Sequence, residues 1–264
     1  MQREEKEIED RIRNIWEEMA PGYDRFISES QSYVKMIEMP ALMGMIGDIS
    51  GKSILDLGCG SGIYSAEFAK KGAIVTGLDI SEASLRLARS RAAGERLSIE
   101  FVRGSISGLG FFCDKKFDMI FSSTTMHYIK DIEGAFLKMN RLLNDKGILL
   151  LSVVHPFYTA QYPLSDYEGE DKYAVFQLRY FNKKLREYIP PWAKYGEGGD
   201  GHCLSYHHTI EDYYNALKMS GFCFDRIVEP QPLPVWKEKY PRRYFEMMNY
   251  PLFLIFKCLK DSGT

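Results

Sequence analysis

The chain has 264 residues, of which 45% are hydrophobic and 27% charged, with a formal net charge of −2. That length and balance suit one large globular core carrying an insertion, and a near-neutral charge argues against general polyanion binding, which concentrates Lys and Arg. The five cysteines, Cys59, Cys113, Cys203, Cys223 and Cys258, contain no C-x-x-C pair, so neither a disulfide framework nor a zinc ribbon is expected. No stretch has the make-up of a signal peptide or a run of roughly 18 apolar residues, so no membrane partner is expected and the default location is cytoplasmic.

Ile8, Ile12, Ile15, Trp16 and Met19 recur at helical spacing and predict an amphipathic helix over 4–19, stopped by Pro21 and Gly22. A second helix is expected over 32–46. Ile54, Leu55 and Leu57 then form a short apolar run holding one acid, Asp56, as a strand buried on both faces does. Gly58, Gly60 and Gly62 follow and permit a sharp turn into a helix over 63–71. A strand, a glycine turn and a helix in succession bring free backbone N–H groups and a positive helix end to one point, where a nucleotide-like ligand can approach the main chain. The spacing is G-x-G-x-G followed by Ile63, not the G-x-G-x-x-G of dinucleotide folds, which counts against a nicotinamide cofactor.

A second strand over 73–78 ends in Asp79, 19 residues beyond Gly60. Its carboxylate can accept from both hydroxyls of a ribose, or it can serve simply as a helix N-terminal acid before Ser81. A helix over 81–93 leads to a third strand over 98–102 and to the loop Arg103-Gly104-Ser105-Ile106. The fourth strand, Phe117 to Ser122, places Ser122 to Tyr128 beyond its carboxyl end, facing the same crevice as Gly58 and Asp79. Asp131 is a candidate cap for the next helix, and a turn over 144–147 precedes a fifth strand over 148–154 that stops at His155. Residues 157–204 show no period and are rich in Tyr with Trp192, which suits a partly ordered insertion with some strand between Tyr173 and Leu185. Aromatic side chains give large contact area at small entropic cost, so this insertion is expected to form the acceptor lid; a structural flap or an oligomer surface is the alternative. Thr209 is a candidate cap for a helix over 210–219, followed by strands over 222–228 and 252–259.

The stretch from Ile54 to Gly62 with Asp79 at the end of the next strand resembles the first motif of class I S-adenosylmethionine-dependent methyltransferases. Asn14 to Phe26, read as N-x-W-x-x-x-A-x-x-Y-D, is similar to the leader of many small-molecule members. Residues 14–156 and 206–259 share the resemblance; the insertion does not. It implies an α/β fold, a Rossmann-like doubly wound sheet of seven mostly parallel strands with an antiparallel last strand. Residues 1–50 would form N-terminal helices lidding the site, 51–156 the cofactor-binding core, 157–204 the insertion after strand 5, and 205–264 the C-terminal part of the sheet. It implies S-adenosylmethionine as cofactor, with Gly58, Cys59 and Gly60 at its amino-acid end, Asp79 on the ribose, Ser105 and Ile106 near adenine, and Tyr23 lining the site. Asp56, Ile80 and Ser122 complete the expected cofactor contacts. The family commonly has an acid where this chain has Ser105, which weakens the adenine signal. The segment after Ser122 is not N-P-P-Tyr, so methylation of exocyclic or amide nitrogens is not indicated.

Methyl transfer from a sulfonium needs mainly alignment and exclusion of water, and a base only where the acceptor must lose a proton. The five histidines lie between 127 and 208. His127 and His155 follow the fourth and fifth strands and are the candidate bases. No H-x-x-x-H or paired Cys/His spacing supports a metal. The expected partner is a small-molecule acceptor, with no nucleic acid indicated and the oligomeric state open. A protein that binds S-adenosylmethionine or its demethylated product without turnover remains the alternative, because cofactor motifs report binding.

Overall fold

Nine strands occur among the residues described by the computed structural model, which are 2–29, 32–112, 114–161, 179–195 and 201–261. Seven of them make one sheet in the order β3-β2-β1-β4-β5-β9-β8. These are β1 (Ser53–Leu57), β2 (Ile74–Asp79), β3 (Ile99–Arg103), β4 (Phe117–Ser123), β5 (Leu143–Val154), β8 (Phe222–Val228) and β9 (Phe253–Lys260). Pairing is parallel from β3 through β5, and β9 runs antiparallel to both β5 and β8. The chain winds outward from β1 to β3 and then returns to the other side of β1 with β4. Two connections therefore diverge at the carboxyl ends of β1 and β4, which opens a crevice there.

The central strands carry branched and aromatic residues on both faces because helices cover both. Ile54, Leu55, Leu57, Ile120 and Phe121 have no exposed surface. On one face Phe136, Met139 and Leu217, from α5 (Ile132–Leu142) and α7 (Ile210–Met219), pack against Leu55, Leu57 and Ile120. On the other, Phe68 of α3 (Ile63–Lys70) packs with Ile54 and Phe121. Ser81 caps α4 (Glu82–Gly94) by accepting from the Ser84 N–H at 3.1 Å, and Asp131 caps α5 by accepting from the Gly134 N–H at 2.8 Å. Thr209 and Asp212 close a reciprocal capping box on α7.

Four features differ from the sequence expectation. Helix α1 (Gln2–Ser28) continues through Pro21 and Gly22. It is held to α4 on both sides of the break: Glu17 accepts from the N–H groups of Glu82 and Ala83 at 2.7 and 2.8 Å, and Asp24 pairs with Arg91 at 2.6 Å. Tertiary contacts outweigh the one hydrogen bond that a proline removes. The second helix divides into a π-helical turn, Val34–Glu38, and a short α2 (Met39–Met43) that begins beside Pro40. Pairing of β5 begins at Leu143, ahead of the expected turn, with Lys146 at φ 61° and a shifted register opposite β4.

The insertion contributes α6 (Pro156–Thr159) and the small antiparallel pair β6 (Arg186–Tyr188) and β7 (Cys203–Ser205). The strand therefore lies just past the expected 173–185 in its described part; Tyr173 itself is outside the described residues. Two short helices, α8 (Val235–Lys239) and α9 (Pro241–Asn249), occupy the proline-rich crossing between β8 and β9. No helix among the described residues is long and apolar enough to cross a membrane.

Candidate active site

The crevice at the carboxyl ends of β1, β2 and β4 is a cavity of about 620 Å³. Gly58, Gly60, Asp79, Ile80, Ser105 and Ile106 line it, and Tyr23 descends from α1 as part of its roof. Gly58 has φ 70°, and a β-carbon there would lie 2.3 Å from Thr125 Oγ1, so only glycine lets the β1 turn meet the β4 loop. Gly60, at φ 53°, has nothing within 4 Å of its missing side chain and leaves open space for a ligand.

The turn does not offer the free donors that its sequence suggests. The N–H groups of Gly58 and Cys59 both donate to the Leu78 carbonyl, at 2.8 and 2.9 Å, and that of Gly62 donates to the Cys59 carbonyl. The Gly60 N–H donates to Asp79 Oδ2 at 2.8 Å. Asp79 Oδ1 in turn accepts from the Ser81 N–H at 2.9 Å. Each carboxylate oxygen thus holds a backbone donor, and the Ile80 N–H also bears on the carboxylate. Desolvation pushes the Asp79 carboxyl up to about 6 despite those backbone bonds.

Three of the expected cofactor contacts lie behind the crevice wall. Asp56 is 1% exposed and accepts from the Ser65 hydroxyl at 2.5 Å, tying β1 to α3. Desolvation pushes its carboxyl up to about 7, and Asp79 adds to the shift. Cys59 turns its sulfur under Gly77, and burial keeps the thiol protonated. Ser122 is fully buried and donates to the Leu57 carbonyl at 3.0 Å. Ser122 still lies within β4 with its side chain turned to β1, whereas Ser123 at the strand end and Thr124 and Thr125 beyond it line the crevice.

A second cavity, of about 680 Å³, lies beside the first and shares Trp16, Tyr23, Thr124 and Tyr128 with it. Its wall is aromatic. Trp16 meets Tyr23 edge-on at 5.2 Å and Tyr128 at 5.6 Å, and Trp192 from the insertion stacks on Trp16 at 6.2 Å between ring centroids. Thr124 sits at the junction with φ 47°, a strained position for a β-branched residue, and its side chain hydrogen-bonds the Tyr23 hydroxyl. Burial and the nearby Glu38 push the Tyr23 phenol up, so it stays neutral. Glu38, fully buried on the π-helical turn, accepts from Ser152, from Ser123 Oγ at 2.7 Å and from Tyr64 at 3.1 Å, and braces the β4 loop from behind.

The histidines divide. His127 lines the second cavity, with its Nδ1 buried and without a hydrogen-bond partner. Desolvation, with a smaller contribution from His208, brings it down to about 3, which makes it a neutral imidazole and a weak proton acceptor near neutral pH. His155 lines neither cavity: its Nδ1 accepts from the Phe157 N–H at 3.0 Å, capping α6, and its Nε2 faces Glu229 at 2.9 Å. Both ring nitrogens are engaged outside the site, so the expected base role does not suit it. His207 bonds Thr159 and the Tyr180 carbonyl, and His208 bonds the Ile129 carbonyl. His202, just ahead of β7, lines the second cavity. Trp16 lies in the leader motif and Thr124 and Tyr128 in the segment beyond β4 that the sequence turns to the crevice, but neither Trp nor Thr at such positions marks a chemistry by itself, so the sequence assigns them no role.

A cavity of several hundred Å³ with the buried carboxylate of Asp79 in its lining and open space at Gly60 has the size and polar groups that a nucleoside sulfonium needs. Among the described residues, no group of three or more His, Cys, Asp or Glu could hold a metal. The methyltransferase domain family matches residues 55–151. A putative S-adenosylmethionine-dependent methyltransferase from Listeria monocytogenes superposes with a TM-score of 0.69 at 26% identity, covering 85% of this chain and 97% of that one. One from Mesorhizobium loti gives 0.66 at 28% identity, covering 84% and 97%. The ubiquinone biosynthesis O-methyltransferase of Pasteurella multocida is 34% identical over 116 residues, which are 40% of this chain and 48% of that protein. The family model covers the β1–β5 half in which the donor crevice lies, the two superpositions span most of the chain, and together they set aside the nicotinamide reading. The chain belongs to the class I S-adenosylmethionine-dependent methyltransferases: it is a methyltransferase with S-adenosylmethionine as its cofactor.

Proposed function

We propose that this methyltransferase acts on a small-molecule acceptor held in the aromatic cavity, by in-line transfer across the wall that the two cavities share. The observation that carries this reading is the junction itself: Trp16, Tyr23, Thr124 and Tyr128 border both spaces. S-adenosylmethionine supplies an activated methyl group on a sulfonium. Asp79 holds the ribose hydroxyls, Ser105 and Ile106 flank adenine, and Gly58 and Gly60 allow close approach of the amino-acid end. The rings at the junction exclude water and present their faces to a positive sulfur, an attraction of about 0.5–2 kcal/mol each when desolvated. His127, neutral and buried, orients the acceptor rather than taking its proton. The acceptor cavity, at about 680 Å³, suits a drug-sized molecule and not a macromolecular segment.

The Pasteurella relative named for O-methylation matches 40% of this chain and 48% of its own length, so its name bears on the family more than on the acceptor. The test is S-adenosylhomocysteine formation with a library of small molecules, set beside oligonucleotide and peptide acceptors. Turnover with small molecules alone is expected, and Asp79→Ala should weaken S-adenosylhomocysteine binding by about 1–3 kcal/mol. Turnover confined to oligonucleotides or peptides would sink the reading.

A further inference from the structure

Methyl transfer takes a positive charge off the donor sulfur, and the second cavity is furnished to receive one. Trp16, Tyr23 and Phe26 gather around Trp192 at 6.2, 4.9 and 5.7 Å between ring centroids. Their planes are inclined to it by 25°, 67° and 46°, so ring faces, the negative side of each quadrupole, point in several directions. Tyr33 and Tyr128 extend the same wall. Among the described residues no Lys or Arg lines this chamber, and its one carboxylate is Glu187 on β6. His202 Nδ1 approaches Glu187 Oε1 at 3.4 Å without making a hydrogen bond, so this contact does not occupy the carboxylate's acceptor positions. His127, 3% exposed on the same wall, is held by burial at about 3; it adds no charge to the chamber and is a poor sink for a proton.

We propose that the acceptor is an uncharged, flat heteroaromatic compound methylated on a pyridine-type ring nitrogen, and that the aromatic wall with Glu187 holds the cation this produces. This rests on the reading that the aromatic cavity takes the acceptor. The nitrogen lone pair forms the bond to the methyl carbon while the carbon–sulfur bond breaks with its electron pair returning to sulfur. The products are an N-methylated ring cation and S-adenosylhomocysteine, and no proton moves. Charge thus leaves the donor side and develops in the chamber, where the rings and Glu187 attract the transition state more than the neutral substrate and so lower the barrier. A hydroxyl acceptor would have to shed its proton and would end as a neutral ether, on which that field acts little. An aliphatic amine is mostly protonated near neutral pH, with its lone pair occupied until a base frees it. A pyridine-type nitrogen is neither exocyclic nor an amide, in keeping with the absence of N-P-P-Tyr after β4.

The experiment uses the full chain saturated with S-adenosylhomocysteine and titrated calorimetrically with 2-methylisoquinolinium, its uncharged isostere 2-methylnaphthalene, and the anion 2-naphthoate. Isoquinoline and 2-naphthol are then each supplied with S-adenosylmethionine, and their methylated products are followed by mass spectrometry. The cation is expected to bind about tenfold or more tightly than 2-methylnaphthalene, with 2-naphthoate the weakest of the three, a comparison that needs no variant. Isoquinoline should be methylated faster than 2-naphthol. Glu187→Gln should weaken the cation severalfold while leaving the affinities for 2-methylnaphthalene and for S-adenosylhomocysteine, the check on folding, within about twofold; a merely structural role would lower the first two together. If none of the three bicyclic probes binds a protein that still binds S-adenosylhomocysteine, the acceptor-cavity reading fails and takes this inference with it. If 2-methylnaphthalene or 2-naphthoate binds as tightly as the cation, or isoquinoline is methylated no faster than 2-naphthol or not at all, the cavity reading survives and the inference is overturned. Unchanged cation affinity in Glu187→Gln would overturn the part given to that carboxylate.

Discussion

The donor crevice and the proposed acceptor cavity share a wall yet are built differently. The floor of the donor side is made of main-chain turns at the ends of β1, β2 and β4, with the buried carboxylate of Asp79 held by backbone N–H groups, under side chains of α1. The acceptor side consists of side chains from α1, the π-helical turn, β6 and the segment before β9. Backbone geometry set by a sheet tolerates little change, whereas a pocket of side chains on peripheral elements can be rebuilt without disturbing the sheet. A common cofactor and a variable acceptor call for that division of materials.

The largest expected effect comes from disturbing the donor side. Gly58→Ala places a methyl group within 2.3 Å of Thr125 Oγ1 at a positive φ. The left-handed backbone alone costs about 1–2 kcal/mol before the clash is counted. Loss of measurable S-adenosylmethionine binding together with a lower Tm is the expected result, read by calorimetry and thermal denaturation. Retained binding would mean that the two cavities depend less on backbone than the comparison holds.

Next in size is a change confined to the acceptor side. Trp192→Ala removes the ring stacked on Trp16 and adjoining Tyr23 at 4.9 Å. The KM for the acceptor should rise about tenfold or more, as aromatic contacts and area are lost, while S-adenosylmethionine affinity changes less than twofold. Comparable losses on both sides would dissolve the distinction between them.

The pH dependence separates the two sides more finely. In the proposed ribose role Asp79 must be ionised to accept from both hydroxyls, and burial raises its carboxyl to about 6, so cofactor affinity should fall as the pH drops through 6. Stability follows the opposite sign. Asp56 and Asp79 are raised to about 7 and about 6 from an ordinary value of 3.8, so the folded apoprotein binds protons more readily than the unfolded chain. Their contribution is fully present below the unfolded value and is lost as the pH rises through 6 to 7. Asp79→Asn should flatten both curves, measured by titration and by urea unfolding between pH 4 and 8.

The smallest effect concerns the lid common to both cavities. Desolvation opposes ionisation of Glu17, but the N–H groups of Glu82 and Ala83 and the charge of Arg103 outweigh it and hold the carboxyl below its ordinary range. Glu17→Gln should cost about 1 kcal/mol at the N-terminus of α4 and speed S-adenosylhomocysteine release severalfold in stopped-flow fluorescence. An unchanged release rate would show that α1 is held by packing alone.

Much of the fold was legible along the chain because its evidence is local. Apolar runs marked β1 to β5, and Ser81, Asp131 and Thr209 marked helix starts that the structure caps as expected. In the site, Gly58, Gly60, Asp79, Ile80, Ser105, Ile106 and Tyr23 line the donor crevice. Asp56 and Ser122 do not, because a buried strand presents alternate residues to opposite faces and a linear motif does not say which, and Cys59 does not because the turn aims its sulfur at Gly77. Helix α1 passes through Pro21 because α4 holds it from the side, which no local rule could show.

The sequence by itself determined the sheet and its glycine turn, since each rests on periodicity and spacing within a few residues, and the resemblance of those motifs to a known family implied the cofactor class. Only the tertiary structure decided which side chains share a space. It turned His155 away to cap α6, left His127 neutral beside the second cavity, and brought Glu187 of β6 within 3.4 Å of His202, just ahead of β7. Local propensity is written in neighbours along the chain, whereas a pocket is an encounter between residues distant in sequence, and burial then sets their charge.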